Sequence, residues 1–253
     1  GERFRVVQTR GLSRQALAAV LAAHDRALAT GEGVHKNQPR TAVTRVRVGG
    51  EAFAVKEYRG GLLERLKKRL RGSRALLAWR AAARLAASRI ATAEPVAVVA
   101  RGGEDYLVTR WVEGAVPLHR LLAERFGEAP PRGELAAKRR LLRGLGRWLR
   151  RIHDAGFYHN DWSAKNILAV EREGQWAFSL LDLESVTFYK WLTRRRRVKN
   201  LSQLNDTRAG VTATDRMRVL VAYAGMDRRL TRGAFPRRIL AGTRRRVARR
   251  ARR

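Results

Sequence analysis

The segment from His159 to Asn166 contains the residues whose types and spacing are best suited to chemistry. It reads H-x-D-x(4)-N, with Asp161 at the acidic position. A second acid, Asp182, follows an apolar pair sixteen residues after Asn166. Phosphoryl transfer needs a carboxylate to orient and deprotonate the acceptor hydroxyl, and oxygen ligands to hold magnesium on the phosphates. Asp161 suits the first role, whereas Asn166 and Asp182 suit the second.

The same arrangement is the catalytic signature of the protein-kinase-like fold, in which a strand pair separates the loop from the metal-binding Asp. A lone Asp or Asn in a loop is usually a turn former or a helix cap. Four matched positions favour the catalytic interpretation instead: three lie between a long apolar helix and a hairpin, and Asp182 follows that hairpin. We expect His159 to brace the loop rather than to act as a base.

Residues upstream suit a bound nucleotide. Lys56 ends an apolar run on a predicted strand, as in the V-A-I-K pattern, and is predicted to bind the α- and β-phosphates of ATP. Gly31 and Gly33 match half of a glycine-rich phosphate loop. The segment containing Arg110 and Val112 fits an interlobe hinge, where backbone groups would hold the adenine.

The elements that must position these residues change from strands to helices along the chain. Two strand pairs, Thr41–Val48 with Glu51–Tyr58 and Pro95–Arg101 with Glu104–Trp111, each turn at two glycines. Ser13 is predicted to cap an earlier helix that runs to about Ala29. Beyond residue 114 the helical spacing dominates, apart from a short hairpin after Asn166. We therefore predict an α+β, bilobal fold with a β-rich N-lobe (1–112) and a mainly helical C-lobe (113–253).

Composition excludes several classes of protein. The 253 residues contain no Cys, which excludes a disulfide scaffold, a thiolate zinc site and a cysteine nucleophile. No stretch approaches eighteen apolar residues and no signal-peptide pattern follows Gly1, so we expect a soluble, cytosolic protein. Hydrophobic residues make up 45% of the chain, enough to form a core.

The charge is strongly basic: 55 Lys and Arg oppose 22 Asp and Glu, for a formal net charge of +33. Such a surplus predicts a nucleic acid, an anionic membrane or a phosphorylated substrate as partner, with an Arg-rich codon bias as the alternative. The segment 235–253 could form a basic amphipathic helix on a membrane, or a solvated basic end. Its apolar stripe consists of Phe235, Ile239, Leu240 and Val247.

Several segments resemble the lipopolysaccharide core kinase family, the Kdo and heptose kinases often called Kdo/WaaP. The likeness covers roughly residues 30–225. It rests on Arg89–Pro95, Tyr106–Thr109, Glu113-Gly114, His159–Leu168, Leu181–Leu183 and the basic region that begins at Arg194. The resemblance implies an enzyme that uses ATP and Mg²⁺ to phosphorylate a sugar hydroxyl of the lipopolysaccharide inner core. It also implies a lipid-linked anionic acceptor, an anionic membrane surface, and a cytoplasmic location on the periphery of the inner membrane.

One further residue matches the kinase pattern, and two features differ from it. Lys165 resembles the basic residue that some kinases use to neutralise the transferring phosphoryl group, with a simple solvated lysine as the alternative. The predicted helix over 73–87 contains no Glu to pair with Lys56, and the nearest acid before that helix is Glu64, only eight residues past Lys56. Which acid pairs with Lys56 therefore stays open. The metal motif reads Asp182-Leu183-Glu184 rather than D-F-G.

Two other functions compete with the core kinase. One is a protein or small-molecule kinase of the same fold, related to aminoglycoside or choline kinases. The other is a pseudokinase or basic binding module, which the missing helix glutamate favours. No nucleic-acid-binding motif is present, so we expect no specific nucleic acid partner. The sequence leaves open the sugar, the hydroxyl and the oligomeric state.

Overall fold

A computed structural model of the chain describes residues 4–60, 73–127, 130–207 and 209–252. These residues form two compact units. The first, called here the sheet unit, comprises Gly1–Ala87 and Ala93–Glu113. The second, the helical unit, comprises Ser88–Thr92 and Gly114–Arg253. Glu64, named above as a candidate partner of Lys56, lies outside the described residues.

The sheet unit is built on six antiparallel strands in the order β1-β5-β6-β4-β3-β2. Their bounds are β1 (Phe4–Thr9), β2 (Val34–Gln38), β3 (Thr41–Val48), β4 (Glu51–Tyr58), β5 (Pro95–Arg101) and β6 (Glu104–Arg110). Both predicted hairpins are present. Val48 pairs with Glu51 across the first turn, where Gly49 and Gly50 have φ of 59° and 82°. Positive φ at both central residues is what a two-residue hairpin turn requires.

Within the described residues, two helices cover this sheet. Helix α1 (Arg14–Thr30) begins where predicted, because the Ser13 side chain accepts a hydrogen bond from the Ala16 main-chain N–H. Its side chains Leu17, Val20 and Leu21 are fully buried in the core over β3 and β4. Helix α2 (Arg74–Ala87) packs on β5 and β6. Burial of these apolar stripes is what stabilises both helices.

A buried polar cluster ties α1 to the sheet. His24 Nδ1 lies 2.7 Å from Thr44 Oγ1, and the Tyr106 hydroxyl donates to Glu57 at 3.1 Å. Burial raises the pKa of Glu57, but hydrogen bonds from His24, Arg59 and Tyr106 and the charge of Arg59 outweigh it and lower that pKa to about 2. Glu57 is therefore ionised. Although Glu57 directly follows Lys56 in the sequence, its carboxylate is hydrogen-bonded within this cluster.

The helical unit contains five helices and five short strands within the described residues. The helices are α3 (Leu118–Glu124), α4 (Arg132–Asp154), α5 (Arg194–Leu204), α6 (Ala213–Ala224) and α7 (Ala234–Ala251). The strands are β7 (Val116–Pro117), β8 (Phe157–His159), β9 (Ile167–Arg172), β10 (Gln175–Leu180) and β11 (Val186–Phe188). Strands β10, β9 and β7 form one small sheet, and β11 pairs with β8 in another.

The long helix α4 packs closely on α6. Gly146 lies at the crossing, where an added β-carbon would be 2.7 Å from Ala222 Cβ and would overlap the Val219 carbonyl oxygen. A buried ion pair, Lys138 Nζ to Asp215 Oδ2 at 2.9 Å, joins the same two helices. The absence of a side chain at Gly146 therefore sets the distance between the two helices.

The apolar stripe of the C-terminal helix faces the protein rather than a membrane, which corrects part of the sequence interpretation. Phe235 and Ile239 are 2% and 7% exposed, and Phe235 stacks on Tyr223 at 6.5 Å between ring centroids. Only Leu240, at 49%, stays largely exposed among the large apolar residues of the stripe. The stripe is buried within the fold because α7 packs against α5. No described helix is both long and apolar enough to cross a bilayer.

Candidate active site

The hairpin formed by β9 and β10 brings the two predicted metal ligands together. Ile167 pairs with Leu180 at its open end, so Asn166 precedes the hairpin where Leu181 and Asp182 leave it. The Leu181 main-chain N–H donates to the Asn166 carbonyl oxygen at 2.8 Å. Antiparallel pairing therefore converts a separation of sixteen residues in sequence into adjacency in space.

Asp182 adopts an unusual backbone conformation. Its φ of 53° and ψ of 48° lie in the left-handed region, which is uncommon for residues other than Gly, Asn and Asp. It caps a short 3₁₀ turn over Leu183–Ser185, yet its side chain makes no capping hydrogen bond there. The conformation is held by the surrounding chain, as the Ser185 N–H donates to the Asp182 carbonyl oxygen at 2.9 Å.

Asp161 lies beside Asn166 on the catalytic loop. The Asn166 Nδ2 group donates to the Asp161 carbonyl oxygen at 2.9 Å and lies 3.5 Å from Asp161 Oδ2. This leaves the Asn166 side-chain oxygen as the atom that can serve a metal ion. The Asp161 side chain is 57% exposed, so a hydroxyl group can reach its carboxylate.

A carboxylate from Asp182 and an amide oxygen from Asn166 are the hard oxygen donors that Mg²⁺ prefers. A magnesium ion bound with a nucleotide needs one or two protein ligands of this type, because phosphate oxygens and waters complete its shell. The residues present therefore fit such an ion. The described part of the chain contains no group of three or more His, Cys, Asp or Glu that could hold a metal, either here or elsewhere.

His159 is buried and braces the loop. Its Nδ1 accepts the Asp161 main-chain N–H at 3.1 Å, and its Nε2 lies 3.1 Å from the Asp182 carbonyl oxygen. Since a carbonyl can only accept, Nε2 carries the proton in this geometry. Burial lowers the pKa of His159 below its usual value and so favours this neutral form.

Two buried amides on α5, which the sequence interpretation missed, anchor the loop from behind. The Asn200 Nδ2 group donates to the His159 carbonyl oxygen at 2.7 Å. The Gln203 Nε2 group donates to the Asn160 carbonyl oxygen at 2.7 Å, while its Oε1 accepts the Trp162 main-chain N–H at 3.2 Å. Their spacing of three residues on one helical face was the available signal, but nothing local showed that this face is buried.

Lys165 lies in the 3₁₀ turn over Ala164–Asn166 and is solvent-exposed. Burial lowers the pKa of His119, which lies on α3, and the positive charge of Lys165 lowers it further. The charge of Lys165 therefore acts on α3. In this turn Lys165 directly precedes Asn166, the predicted metal ligand. This position suits both a phosphoryl contact and a solvated side chain.

The predicted nucleotide residues lie in the sheet unit. Lys56 is on β4, paired with Val43 and Leu107, and its Nζ is 5.1 Å from the centroid of the Tyr58 ring. Arg110 ends β6, where its side chain binds Glu51 at 2.6 Å. The hydrogen bond that Arg110 donates to the Glu51 carboxylate raises the pKa of Arg110. Val112 lies two residues beyond.

Gly31 and Gly33 lie before the hairpin formed by β2 and β3. Gly31 follows α1 in a left-handed conformation, and its N–H donates to the Ala27 carbonyl oxygen. Gly33 precedes β2, where an added β-carbon would meet the Arg45 carbonyl oxygen at 2.5 Å. Strand β2 itself was not predicted, because its residues are mostly polar and exposed and show no apolar alternation.

The family described as "Lipopolysaccharide kinase (Kdo/WaaP) family" matches residues 24–223, which is most of the sequence. This chain belongs to the Kdo/WaaP lipopolysaccharide kinase family. Membership confirms the resemblance found in the sequence and makes the protein an ATP-dependent phosphotransferase with a sugar hydroxyl as acceptor. The pseudokinase alternative is thereby set aside.

A solved structure described as "WaaP in complex with acyl carrier protein" is similar to this Kdo/WaaP kinase. The identity is 23%, the match covers 97% of this chain and 98% of the other, and the TM-score is 0.68. At that identity the likeness concerns the fold, and it confirms the predicted kinase-like architecture. No curated protein matches the sequence.

Proposed function

We propose that this kinase transfers the γ-phosphoryl group of ATP to a hydroxyl of Kdo or heptose in the lipopolysaccharide inner core. The acceptor is a lipid-linked anionic sugar at the cytoplasmic face of the inner membrane. The observation that carries the proposal is the adjacency of Asp161, Asn166 and Asp182 around one open loop, within a member of this family.

In this reaction the exposed Asp161 carboxylate orients the acceptor hydroxyl and takes its proton. The hydroxyl oxygen then bonds to the γ-phosphorus, while the bond from that phosphorus to the leaving ADP oxygen breaks. Asn166 and Asp182 hold Mg²⁺, which when bound offsets the charge of the phosphates. Lys165 neutralises the transferring group, because its ammonium lies on the same short turn as Asn166.

The proposed nucleotide site draws on the sheet unit. Lys56 binds the α- and β-phosphates, and Gly31 and Gly33 lie near the phosphates. Main-chain groups at Arg110 and Val112 bind the adenine, because the Arg110 side chain is already committed to Glu51. In this proposal residues 1–112 form the nucleotide-binding N-lobe and residues 113–253 the catalytic C-lobe.

The direct test is incubation with labelled ATP and Mg²⁺ in the presence of purified core lipopolysaccharide, its lipid-linked precursors and a generic protein. Label confined to the lipid-linked sugar, and absent with Asp161→Asn, supports the proposal. Label confined to the protein would show that the protein-kinase alternative is correct. Acid hydrolysis of the labelled lipid and analysis of the sugars would then separate Kdo from heptose.

A peripheral position on an anionic membrane is supported by charge rather than by an apolar face. Exposed arginines of α7, among them Arg244 and Arg245, lie in a chain of net charge +33. Each cation near an anionic surface contributes about 1 kcal/mol. Sedimentation with anionic vesicles should therefore fall for Arg244→Ala/Arg245→Ala, and it should fall for wild type at about 1 M salt, where the Debye length is near 3 Å.

Acyl carrier protein, which is the partner of WaaP in the similar solved structure, is a second proposed partner. The helical unit has a pocket of about 280 Å³ lined mainly by apolar side chains of α3 to α7, including Leu142, Leu201 and Leu220. A pocket of this character suits a hydrocarbon chain. Titration with acylated and unacylated carrier protein tests the idea, and equal affinity for the two forms would contradict a role for the pocket.

A further inference from the structure

The C-terminal helix places an arginine against the catalytic carboxylate. Arg246 Nη2 lies 3.1 Å from Asp161 Oδ1, although the two residues are 85 positions apart. The Arg246 side chain is 27% exposed. Neither the kinase motifs nor the resemblance assigned a role to this residue. Its guanidinium nevertheless lies where an acceptor sugar must approach Asp161.

Hydrogen bonds and close packing between α7 and the α5 region determine the position of Arg246. The Ser202 hydroxyl donates to the Ile239 carbonyl oxygen at 3.1 Å, and Asn205 Nδ2 donates to the Thr243 hydroxyl at 2.9 Å. Gly242 lies so close to Ser202 that no β-carbon fits there. These contacts fix α7 on α5 one turn before Arg246, so that the side chain is directed to the catalytic loop.

A buried carboxylate holds the Nε group of the guanidinium. Asp206, only 7% exposed, accepts from Arg246 Nε at 3.2 Å and from Arg250 Nη1 at 2.6 Å. Arg250 thus offsets the charge of Asp206. Asp206 in turn orients Arg246 through Nε alone and leaves both Nη groups of Arg246 for other partners. Paired Nη donors are what bind phosphate or carboxylate oxygens.

The contact with Asp161 can be exchanged for one with a substrate. The Asp161 carboxylate is more than half exposed, and ion pairs in water stabilise little. An anionic group on the acceptor can therefore take the place of Asp161 on Arg246 at small cost. The exchange also frees the Asp161 oxygen that must accept the hydroxyl proton.

We propose that Arg246 is the acceptor-positioning residue, which binds a phosphate or carboxylate group of the sugar next to the hydroxyl that is phosphorylated. This inference rests on the proposed function, since it presumes an anionic sugar acceptor. It explains why this arginine, out of the many on α7, is held at the reacting carboxylate by a dedicated acid.

The test compares Arg246→Ala and Arg246→Lys with Arg249→Ala on a short soluble acceptor and on the same acceptor after phosphatase treatment. Arg249 is exposed on the same helix and makes no hydrogen bond or ion pair with the described residues. Arg246→Ala should raise the acceptor KM at least about tenfold, the loss expected for one charge-assisted hydrogen bond. The KM for ATP and the thermal midpoint should change little, Arg246→Lys should recover part of the affinity, and Arg249→Ala should match wild type.

The two acceptors identify the anion. If phosphatase treatment raises the wild-type KM and abolishes the difference from Arg246→Ala, the anion is a phosphate. If the difference survives treatment, it is the sugar carboxylate; both results support the inference. An unchanged acceptor KM in Arg246→Ala, or faster turnover caused by release of Asp161 alone, would overturn it. A wild type that labels no sugar would instead overturn the proposed function, and this inference with it.

Discussion

The His159 ring nitrogen Nδ1 accepts the main-chain N–H of Asp161 at 3.1 Å. The opposite nitrogen lies against the carbonyl oxygens of Leu181 and Asp182. One buried imidazole therefore joins the loop that carries the proposed base to the segment that carries the proposed metal ligand. Its contribution is positional, since both ring nitrogens are already engaged.

We expect His159→Ala to lower kcat by about 10²-fold, because small misplacements of a catalytic group have effects of that size. The KM for the acceptor should change less than kcat. The pH dependence of the remaining activity should keep the wild-type shape, as a positioning residue contributes no ionisation to it. Loss of an ionisation from the pH profile of the variant would show that His159 acts as a base.

Asp161→Asn should retain nucleotide binding and lose about 10²- to 10⁴-fold in kcat, the usual contribution of a general base. Binding of a fluorescent nucleotide and turnover are measured on the same preparation. Asp227→Asn is the matched control, because Asp227 caps a distant 3₁₀ turn and Asn caps equally well. Unchanged turnover in Asp161→Asn would remove Asp161 from the mechanism.

Asp182→Asn should weaken Mg²⁺-dependent ATP binding more than Asn166→Ala does. A carboxylate contributes more than a neutral amide to a hard cation. Asn is chosen at position 182 because it tolerates the left-handed backbone, with φ of 53°, that Ala would strain. Calorimetric titration with and without Mg²⁺ measures both variants. Equal Mg²⁺ dependence in Asp182→Asn and wild type would mean that the metal ligand lies elsewhere.

Gly146→Ala and Gly133→Ala form a matched pair on α4. A β-carbon at Gly146 would collide with α6, so this variant should lose about 1–3 kcal/mol of stability through overpacking. Gly133 has open space around it, and Ala there should gain up to about 1 kcal/mol from helix propensity. Denaturant unfolding of both variants measures the difference. A stable Gly146→Ala would contradict the close crossing of the two helices.

The free energy of unfolding should decrease as the pH drops below neutral, because His153 is buried in its neutral form. Burial, followed by the charge of Arg197, lowers the pKa of His153 to about 3, against 6.5 for a free histidine. Between these values the unfolded chain binds a proton that the folded chain does not. The unfolding constant should therefore rise with acidification by up to about tenfold per pH unit, while above pH 6.5 this group contributes no slope.

His153→Gln removes that titration while keeping a polar partner for the Tyr223 hydroxyl, which lies 2.9 Å from His153 Nδ1. Unfolding free energies of the two proteins are compared at pH 8 and pH 5. The advantage of wild type should shrink at the lower pH. Parallel pH curves would mean that His153 is protonated in the folded protein.

The catalytic loop and both hairpins of the sheet could be predicted from the sequence because each depends on residues close together in the chain. Spacing alone singled out Asp161 and Asn166 as candidates, and two glycines sufficed to place the turn between Thr41–Val48 and Glu51–Tyr58. The polar strand β2 escaped prediction, since an exposed edge strand has no apolar face to reveal it. A local sequence pattern predicts structure well where the residues of one short segment themselves determine its backbone conformation.

Contacts between distant segments were decided only by the tertiary structure. The apolar residues Phe235 and Ile239 have the same helical periodicity whether they face a membrane or α5, and only packing separates the two outcomes. Arg246 is one of many arginines in a basic tail until α7 docks and Asp206 orients it toward Asp161. Periodicity states which face of a helix is apolar, whereas the partner of that face depends on how the whole chain closes around its core.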